Sequence, residues 1–291
     1  MIYLESFSIP TRDDEDSWVL SFPRELELPC YNVNITYPFR VFGDRAPSRL
    51  EFSSVTLFSG GNGSGKSTLL NVIAEKLGIS RSSPFGAPKC MPPYLELCSY
   101  TLAPGVRKVP FGSAIVTSDD VFDFLLHLRS IGEGVARDRE RVYEEYKKAR
   151  LESYRGFDSM EDLEQLRRSN EAKRGTSSRY IAARVPKDLS GKSNGESAFA
   201  YFTKHIGENA IFILDEPENS LSPRLQQELA AFLEDSVRFF GCQLIISTHS
   251  PFLLAMKDAL IYELGRDSIR RSSFSELEAL LGYRELFCGK D

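Results

Sequence analysis

The chain has 291 residues, of which 42% are hydrophobic and 26% are charged, as is usual for a globular protein. Its net charge of -5 argues against nucleic-acid binding driven by bulk charge, so such binding would need a local basic patch. Five scattered cysteines argue against a disulfide scaffold at this size. No apolar run is long enough to span a membrane, and the acidic N-terminal segment lacks the features of a secretion signal. We therefore expect a cytoplasmic protein.

The first predicted elements lead to a glycine-rich turn. Alternating apolar and polar residues predict edge strands at 2–9 and 17–22. The apolar run at 55–58 predicts a strand, and the spacing of leucine and isoleucine predicts an amphipathic helix over 66–77. Four prolines indicate a loop at 80–93.

The middle of the chain is rich in charge. A helix is predicted over 118–132, two further helical pieces over 133–175, and a polar loop over 176–192. Both signs of charge occur at i,i+4 spacing, which favours a solvated helical lobe over a nucleic-acid surface. We expect residues 118–192 to form a lobe inserted in a single domain that spans 1–291.

Two strongly apolar strands are predicted near the end of the chain, at 210–214 and 243–247. Helices are predicted between and before them, at 196–206 and 223–240. Strands that are apolar on both faces and alternate with helices are typical of a buried parallel sheet. The predicted fold is therefore α/β, with a mainly parallel central sheet, an N-terminal antiparallel sheet and a small helical lobe.

The strongest motif is GGNGSGKS at 60–67, a complete G-x-x-x-x-G-K-[ST] loop between a strand and a helix. Such a loop wraps phosphates with backbone N–H groups and the helix N-terminus, which predicts ATP and Mg²⁺ as cofactors. Lys66 is expected to reach the β- and γ-phosphates, Ser67 to bind Mg²⁺, and Thr68 to hold the α-phosphate. The predicted nucleotide-binding residues of this segment are Gly60, Asn62, Gly63, Ser64, Gly65, Lys66, Ser67 and Thr68.

Polar residues follow both apolar strands where those strands end. Asp215 and Glu216 follow the first strand, and His249 follows the second. Asp215 is predicted to bind Mg²⁺, and Glu216 to orient and polarise the attacking water. His249 is predicted to contact the γ-phosphate, because ligands of such sheets bind at the carboxyl ends of the strands. Lys66, Glu216 and His249 are thus the predicted catalytic residues.

Together these motifs resemble the ABC-type ATPase superfamily, and in particular small bacterial ATPases of the ABC-type and SMC-like P-loop class. The segment SNGES at 193–197 is similar to the S-G-G-Q signature of that superfamily. The resemblance implies an ABC-type P-loop fold in which Ser193 and Gly195 bind the γ-phosphate held by a second protomer. A helix cap formed by Ser193 and Glu196 is a second and compatible interpretation.

One feature departs from the superfamily. Its usual Mg²⁺-binding glutamine, at the end of a strand after the phosphate loop, has no counterpart at the end of 113–117. Asp119 is predicted to replace it as a metal ligand, with Asp120 as the alternative. Candidates for stacking on adenine, with core packing equally open for each, are Tyr37, Phe39 and Phe42.

We expect a soluble ATPase that acts as a nucleotide-gated dimeric clamp or switch. Its partners would be a second copy, bound in the presence of ATP, and a protein or DNA client in DNA repair or bacterial defence. The main alternative is the ATP-binding subunit of an ABC transporter, which the missing glutamine disfavours. A non-catalytic nucleotide sensor is disfavoured by the intact Glu216.

Overall fold

The computed structural model describes residues 1–20, 37–47, 49–82, 86–151, 167, 170, 181, 183 and 193–288. The chain divides into two compact units, one formed by Met1–Val121 with Ala198–Asp291 and the other by Phe122–Ser197. The larger unit contains both β-sheets and is described first. This division does not test the prediction of one domain with an inserted lobe at 118–192, which stays a prediction.

The larger unit is built on two sheets. A three-stranded antiparallel sheet has the order β2-β1-β5, and a seven-stranded sheet has the order β10-β9-β3-β8-β7-β6-β4. Neighbours in the larger sheet run parallel except for β9 and β10. The predicted α/β fold, mainly parallel with an N-terminal antiparallel sheet, is confirmed. The strands are β1 (Leu4–Ser8), β2 (Leu50–Glu51), β3 (Val55–Ser59), β4 (Ser80–Arg81), β5 (Ser99–Leu102), β6 (Ala114–Thr117), β7 (Ile211–Asp215), β8 (Gln243–Ser247), β9 (Leu260–Leu264) and β10 (Ile269–Ser272).

The described helices are numbered in chain order. They are α1 (Arg12–Leu20), α2 (Lys66–Leu77), α3 (Met91–Leu97), α4 (Ser118–Leu151), α5 (Asn194–His205), α6 (Pro223–Phe239), α7 (Pro251–Leu254) and α8 (Glu278–Cys288), with short 3₁₀ helices at Gly43–Arg45 and Phe274–Glu276. Within the described residues, none of these helices is both long enough and apolar enough to cross a membrane.

Two predicted elements differ from the structure. The edge strand predicted at 17–22 is wrong, since its described part belongs to α1. Thr11 and Asp14 form a reciprocal cap that begins this helix: the Asp14 carboxylate accepts from the Thr11 amide at 2.9 Å, and the Thr11 hydroxyl accepts from the Asp14 amide. The loop predicted at 80–93 is wrong at its end, where α3 begins. The first turn of this helix tolerates prolines because its amides need no intrahelical partner.

The smaller unit is described mainly by α4. Val142, Tyr146 and Ala149 are buried on one side of this helix, with Ile181 packed against them. Their spacing is that of an amphipathic helical face. Most of the charged pieces predicted at 133–175 beyond α4, and most of the loop at 176–192, lie outside the described residues.

The centre of the larger sheet is fully buried and positions the site. Every residue of β3, β7 and β8 is buried. The three strands are parallel neighbours, so their carboxyl ends meet at one edge of the sheet. Polar residues that follow these strands are therefore brought together there.

Gln243 ties the antiparallel sheet to the parallel one. Its side-chain oxygen accepts from the amides of Tyr3 and Leu4, each at 2.8 Å. Its side-chain nitrogen donates to the carbonyls of Leu4 at 2.8 Å and Ser53 at 3.0 Å. All four hydrogen-bonding positions of this fully buried amide are used.

Replacing Gln243 by Leu is expected to lower the free energy of unfolding by about 3 kcal/mol or more, because buried backbone groups lose their partners. Urea unfolding followed by circular dichroism measures this. The exposed Gln227→Leu is the matched control and should leave the free energy nearly unchanged. Equal unfolding curves for the two variants would contradict the role of Gln243.

Candidate functional site

The site is built where β3, β7 and β8 end. The pairing register sets Asp215 of β7 opposite Ser247 of β8 on one side and opposite Thr117 of β6 on the other. Phe58 of β3 is opposite Ser247. The phosphate loop, the acidic pair and the histidine therefore leave the sheet from adjacent strands.

Two glycines shape the phosphate loop. Gly65 precedes α2 with a φ of 100°, a left-handed conformation that favours glycine. At Gly60 a Cβ atom would lie 2.5 Å from the Leu264 carbonyl oxygen. The backbone of the loop can approach β9 this closely because no side chain intervenes.

Lys66 lies at the centre of the site with only 4% of its surface exposed. Its ammonium donates to the carbonyl oxygens of Gly60 at 2.9 Å and Gly61 at 3.3 Å. It also lies 2.8 Å from His249 Nε2 and 3.7 Å from Glu216 Oε1. Burial lowers the pKa of Lys66, and the Glu216 carboxylate opposes that effect. A phosphate group entering the loop would replace the carbonyl oxygens as the acceptor of this ammonium.

The three predicted catalytic side chains thus meet at one point. Besides their contacts with Lys66, His249 Nε2 and Glu216 Oε1 are 3.4 Å apart. A buried cation, an imidazole and a carboxylate that share contacts could serve phosphoryl transfer, because positioned charges supply most of that catalysis. The catalytic roles of the three residues stay predictions.

A second group of oxygen atoms adjoins this point. The Ser67 hydroxyl donates to Asp215 Oδ1 at 3.2 Å, and the Ser247 hydroxyl donates to the same oxygen. Burial raises the pKa of Asp215, and these hydrogen bonds oppose the rise. A hydroxyl and a carboxylate side by side fit Mg²⁺, which takes one or two protein oxygens with phosphate and water. Across the described part of the chain, no group of three or more His, Cys, Asp or Glu side chains could hold a metal ion.

The Glu216 carboxylate is also held by Asn219, which sequence reasoning missed. Asn219 Nδ2 donates to Glu216 Oε2 at 3.1 Å. Glu216 itself has a φ of 48°, and its amide donates to the Ser247 carbonyl at 3.0 Å. The turn after β7 is tight enough to bring a residue three positions later onto the carboxylate. A polar residue three positions after the second acid is the signal that could have identified Asn219.

The aromatic candidates for adenine stacking separate into two groups. Phe39 and Phe42 are buried, and Phe39 stacks on Trp18 with ring centroids 4.7 Å apart. Tyr37 instead donates its hydroxyl to Thr68 Oγ1 at 2.9 Å, beside the phosphate loop. Phe39 and Phe42 are core residues, whereas Tyr37 contacts a predicted nucleotide-binding residue.

The predicted signature segment lies at the start of α5. The Ser193 hydroxyl and amide both donate to the Glu196 carboxylate, at 3.0 and 2.8 Å, and the Glu196 amide donates back to the hydroxyl. This reciprocal cap was one of the two interpretations of the segment. The binding of a partner's phosphate by Ser193 and Gly195 stays a prediction.

The predicted metal ligand Asp119 is exposed on the first turn of α4. Its neighbour Asp120 is buried, and Asp120 Oδ2 accepts from the amide and the hydroxyl of Thr117, each at 2.8 Å. This pair caps the helix next to the strand end that faces Asp215. The metal role of Asp119 stays a prediction.

A cavity of about 830 Å³ borders the phosphate loop. Gly60–Ser64 and His249 form one part of its wall, and Arg45, Glu263 and Arg266 contribute to the rest. Both signs of charge therefore face the space beside the phosphate loop.

Residues 116–255 match the family described as "AAA domain, putative AbiEii toxin, Type IV TA system". Thiamine import ATP-binding protein ThiQ of Salmonella typhimurium is 24% identical over 267 residues, which cover 87% of this chain and 97% of ThiQ. ThiQ of Salmonella choleraesuis is similar to the same extent, at 24% identity over 87% of this chain and 97% of that protein.

Solved structures similar to this chain include two SMC head domains. The head domain from Pyrococcus furiosus, bound to the C-terminal domain of ScpA, has a TM-score of 0.43 and 14% identity, covering 99% of this chain and 100% of that chain. The head domain from Thermotoga maritima has a TM-score of 0.38 and 16% identity, covering 78% of this chain and 94% of that chain.

The family match over residues 116–255 includes Asp215, Glu216 and His249 and begins after the phosphate loop.

Proposed function

We propose that this chain is a P-loop ATPase of the ABC and SMC-like kind and acts as a nucleotide-gated dimeric clamp on a protein or DNA client. The observation that carries the proposal is the meeting of Lys66, Glu216 and His249 at the phosphate loop, with contacts of 2.8 to 3.7 Å. Such a site can bind the terminal phosphates of ATP and respond to their loss.

These contacts support the following catalytic cycle. The β- and γ-phosphates would bind the ammonium of Lys66 in place of Glu216 Oε1. The Glu216 carboxylate would then be available to orient the attacking water. His249 Nε2 would then face the γ-phosphate in place of Lys66. Ser67 and Asp215 would hold Mg²⁺, which neutralises the charge that develops on the phosphates.

Dimer formation is proposed from the start of α5. Ser193 is exposed, and its hydroxyl, the Gly195 amide and the helix N-terminus together would form an anion site. In a two-fold dimer each copy would supply this segment to the phosphate held by its partner, so both sites would close together. The Ser193 hydroxyl would exchange its present bond to Glu196 for the phosphate.

The client is proposed to be a protein or DNA segment released when ATP is hydrolysed, in DNA repair or bacterial defence. The likeness to ThiQ favours a second candidate function, the ATP-binding subunit of a transporter. Against it stands the absence of glutamine at the strand end in 113–117, where Asp119 and Asp120 follow.

Mass measurement tests the clamp. Glu216→Gln with Mg-ATP is expected to double in mass by light scattering after size exclusion, because unhydrolysed ATP holds the two copies together. Adding Ser193→Arg should keep the mass at that of one chain, since the larger cation blocks the approach of the helix. Ser130→Arg, exposed on α4, is the matched control and should still dimerise. A Glu216→Gln protein that binds ATP at the mass of one chain would contradict the dimer.

A further inference from the structure

Glu218 is a buried carboxylate that the catalytic scheme above does not use. It follows Glu216 by two residues and has only 8% of its surface exposed. Its Oε1 atom accepts from three donors of one segment: the Thr248 hydroxyl at 2.8 Å, the His249 amide at 2.5 Å and the Ser250 amide at 3.1 Å. We call residues 248–250 the switch segment.

These bonds fix the switch segment at its backbone. A carboxylate oxygen that accepts from several donors of one segment holds that segment at several points. Two successive amides that share one acceptor leave the backbone at His249 little freedom to rotate. The position from which the His249 side chain projects is therefore fixed. From that position, its Nε2 atom lies 2.8 Å from Lys66 and 3.4 Å from Glu216.

Glu218 also belongs to the turn that carries Glu216. That turn is joined to β8 by the bond from the Glu216 amide to the Ser247 carbonyl at 3.0 Å. The carboxylate of Glu218 adds a second connection one residue further along, at the switch segment. A displacement of either segment is therefore passed to the other.

We infer that Glu218 is a positioning residue for ATP hydrolysis, which acts by holding His249 in line with Glu216 at the γ-phosphate. The inference rests on the proposed contact of His249 with the γ-phosphate. Glu218 touches neither the nucleotide nor the water in this scheme, and its whole effect passes through the switch segment.

The test measures kcat, KM for ATP and the Kd of ATP in four proteins: the wild type, Glu218→Ala, His249→Ala and the double variant. Glu218→Ala is expected to lower kcat by up to about 100-fold, because small displacements of catalytic groups have effects of that size. The KM and Kd should change little, since Lys66 and the phosphate loop are intact. In the His249→Ala background the same substitution should cause no further loss.

Two more variants separate positioning from folding. Glu218→Gln keeps an oxygen that can accept the same three bonds, so its kcat should return to within a few-fold of the wild type. Glu234→Ala removes a carboxylate that accepts from the Lys257 amide at 2.9 Å, and it is the matched control with normal kcat. If Glu218→Ala does not fold, Thr248→Val takes its place in the cycle, since it removes one of the three donors.

The outcomes distinguish the positioning role of Glu218 from the proposed contact of His249 with the γ-phosphate. A loss of kcat that is equally large with and without His249 overturns the inference for Glu218. A loss of ATP affinity that matches the loss of kcat also overturns it, because a general disturbance of the fold explains that result. A normal kcat for His249→Ala refutes the proposed role of His249 itself, and the inference falls with it.

Discussion

Glu216→Gln is expected to lower kcat for ATP hydrolysis by about 100-fold or more while ATP remains bound. The amide keeps the shape of the side chain and can still accept from Asn219, whose Nδ2 atom lies 3.1 Å from Glu216 Oε2. It cannot polarise water as a carboxylate does. Removing the negative charge also removes the ion pair with Lys66 at 3.7 Å, so ATP no longer competes with it. The Kd of ATP should therefore hold or fall.

Single-turnover hydrolysis and equilibrium binding of a fluorescent ATP analogue measure these two effects separately. Glu208→Gln is the matched control, because Glu208 is exposed and precedes β7. Its kcat and Kd should equal those of the wild type. A Glu216→Gln protein with normal kcat would show that another group activates the water.

The site could be predicted from the sequence where local pattern and sheet topology agree. The helix after the phosphate loop was predicted over 66–77 and is α2, with Gly65 before it and Gly78 after it in left-handed conformations. The meeting of Lys66 with His249 also follows from topology, since β3 and β8 are parallel neighbours that end together.

One local signal was missed, and contacts between distant residues could not be predicted in the same way. The period-2 pattern at 17–22 predicts a strand, whereas the cap formed by Thr11 and Asp14 marks the start of α1. The hydrogen bonds that Glu218 accepts from the switch segment join residues about 30 positions apart, and no local pattern encodes them. The buried packing of Phe39 on Trp18 is likewise a product of tertiary structure.

Lys66→Met is expected to weaken ATP binding by about 100-fold. Charge-assisted hydrogen bonds contribute about 1.5–3 kcal/mol each, and tenfold in affinity corresponds to about 1.4 kcal/mol. The loss also exposes the phosphates to Glu216 and Asp215, whose charges Lys66 now opposes. Methionine keeps an unbranched apolar chain of similar length, so the change removes mainly the ammonium.

Stability should respond differently from binding. Burial lowers the pKa of Lys66, so the folded protein holds that proton less tightly than the unfolded chain does. Below the folded pKa the charged ammonium therefore opposes folding, and at neutral pH its removal should not lower the free energy of unfolding. Isothermal titration with Mg-ATP and urea unfolding at pH 7 measure both quantities on the same samples. Lys204→Met, at an exposed position near the end of α5, is the control that should change neither. An unchanged Kd for Lys66→Met would mean that the phosphates bind elsewhere. Weaker binding with unchanged or greater stability would identify Lys66 as a residue that serves ATP binding and not folding.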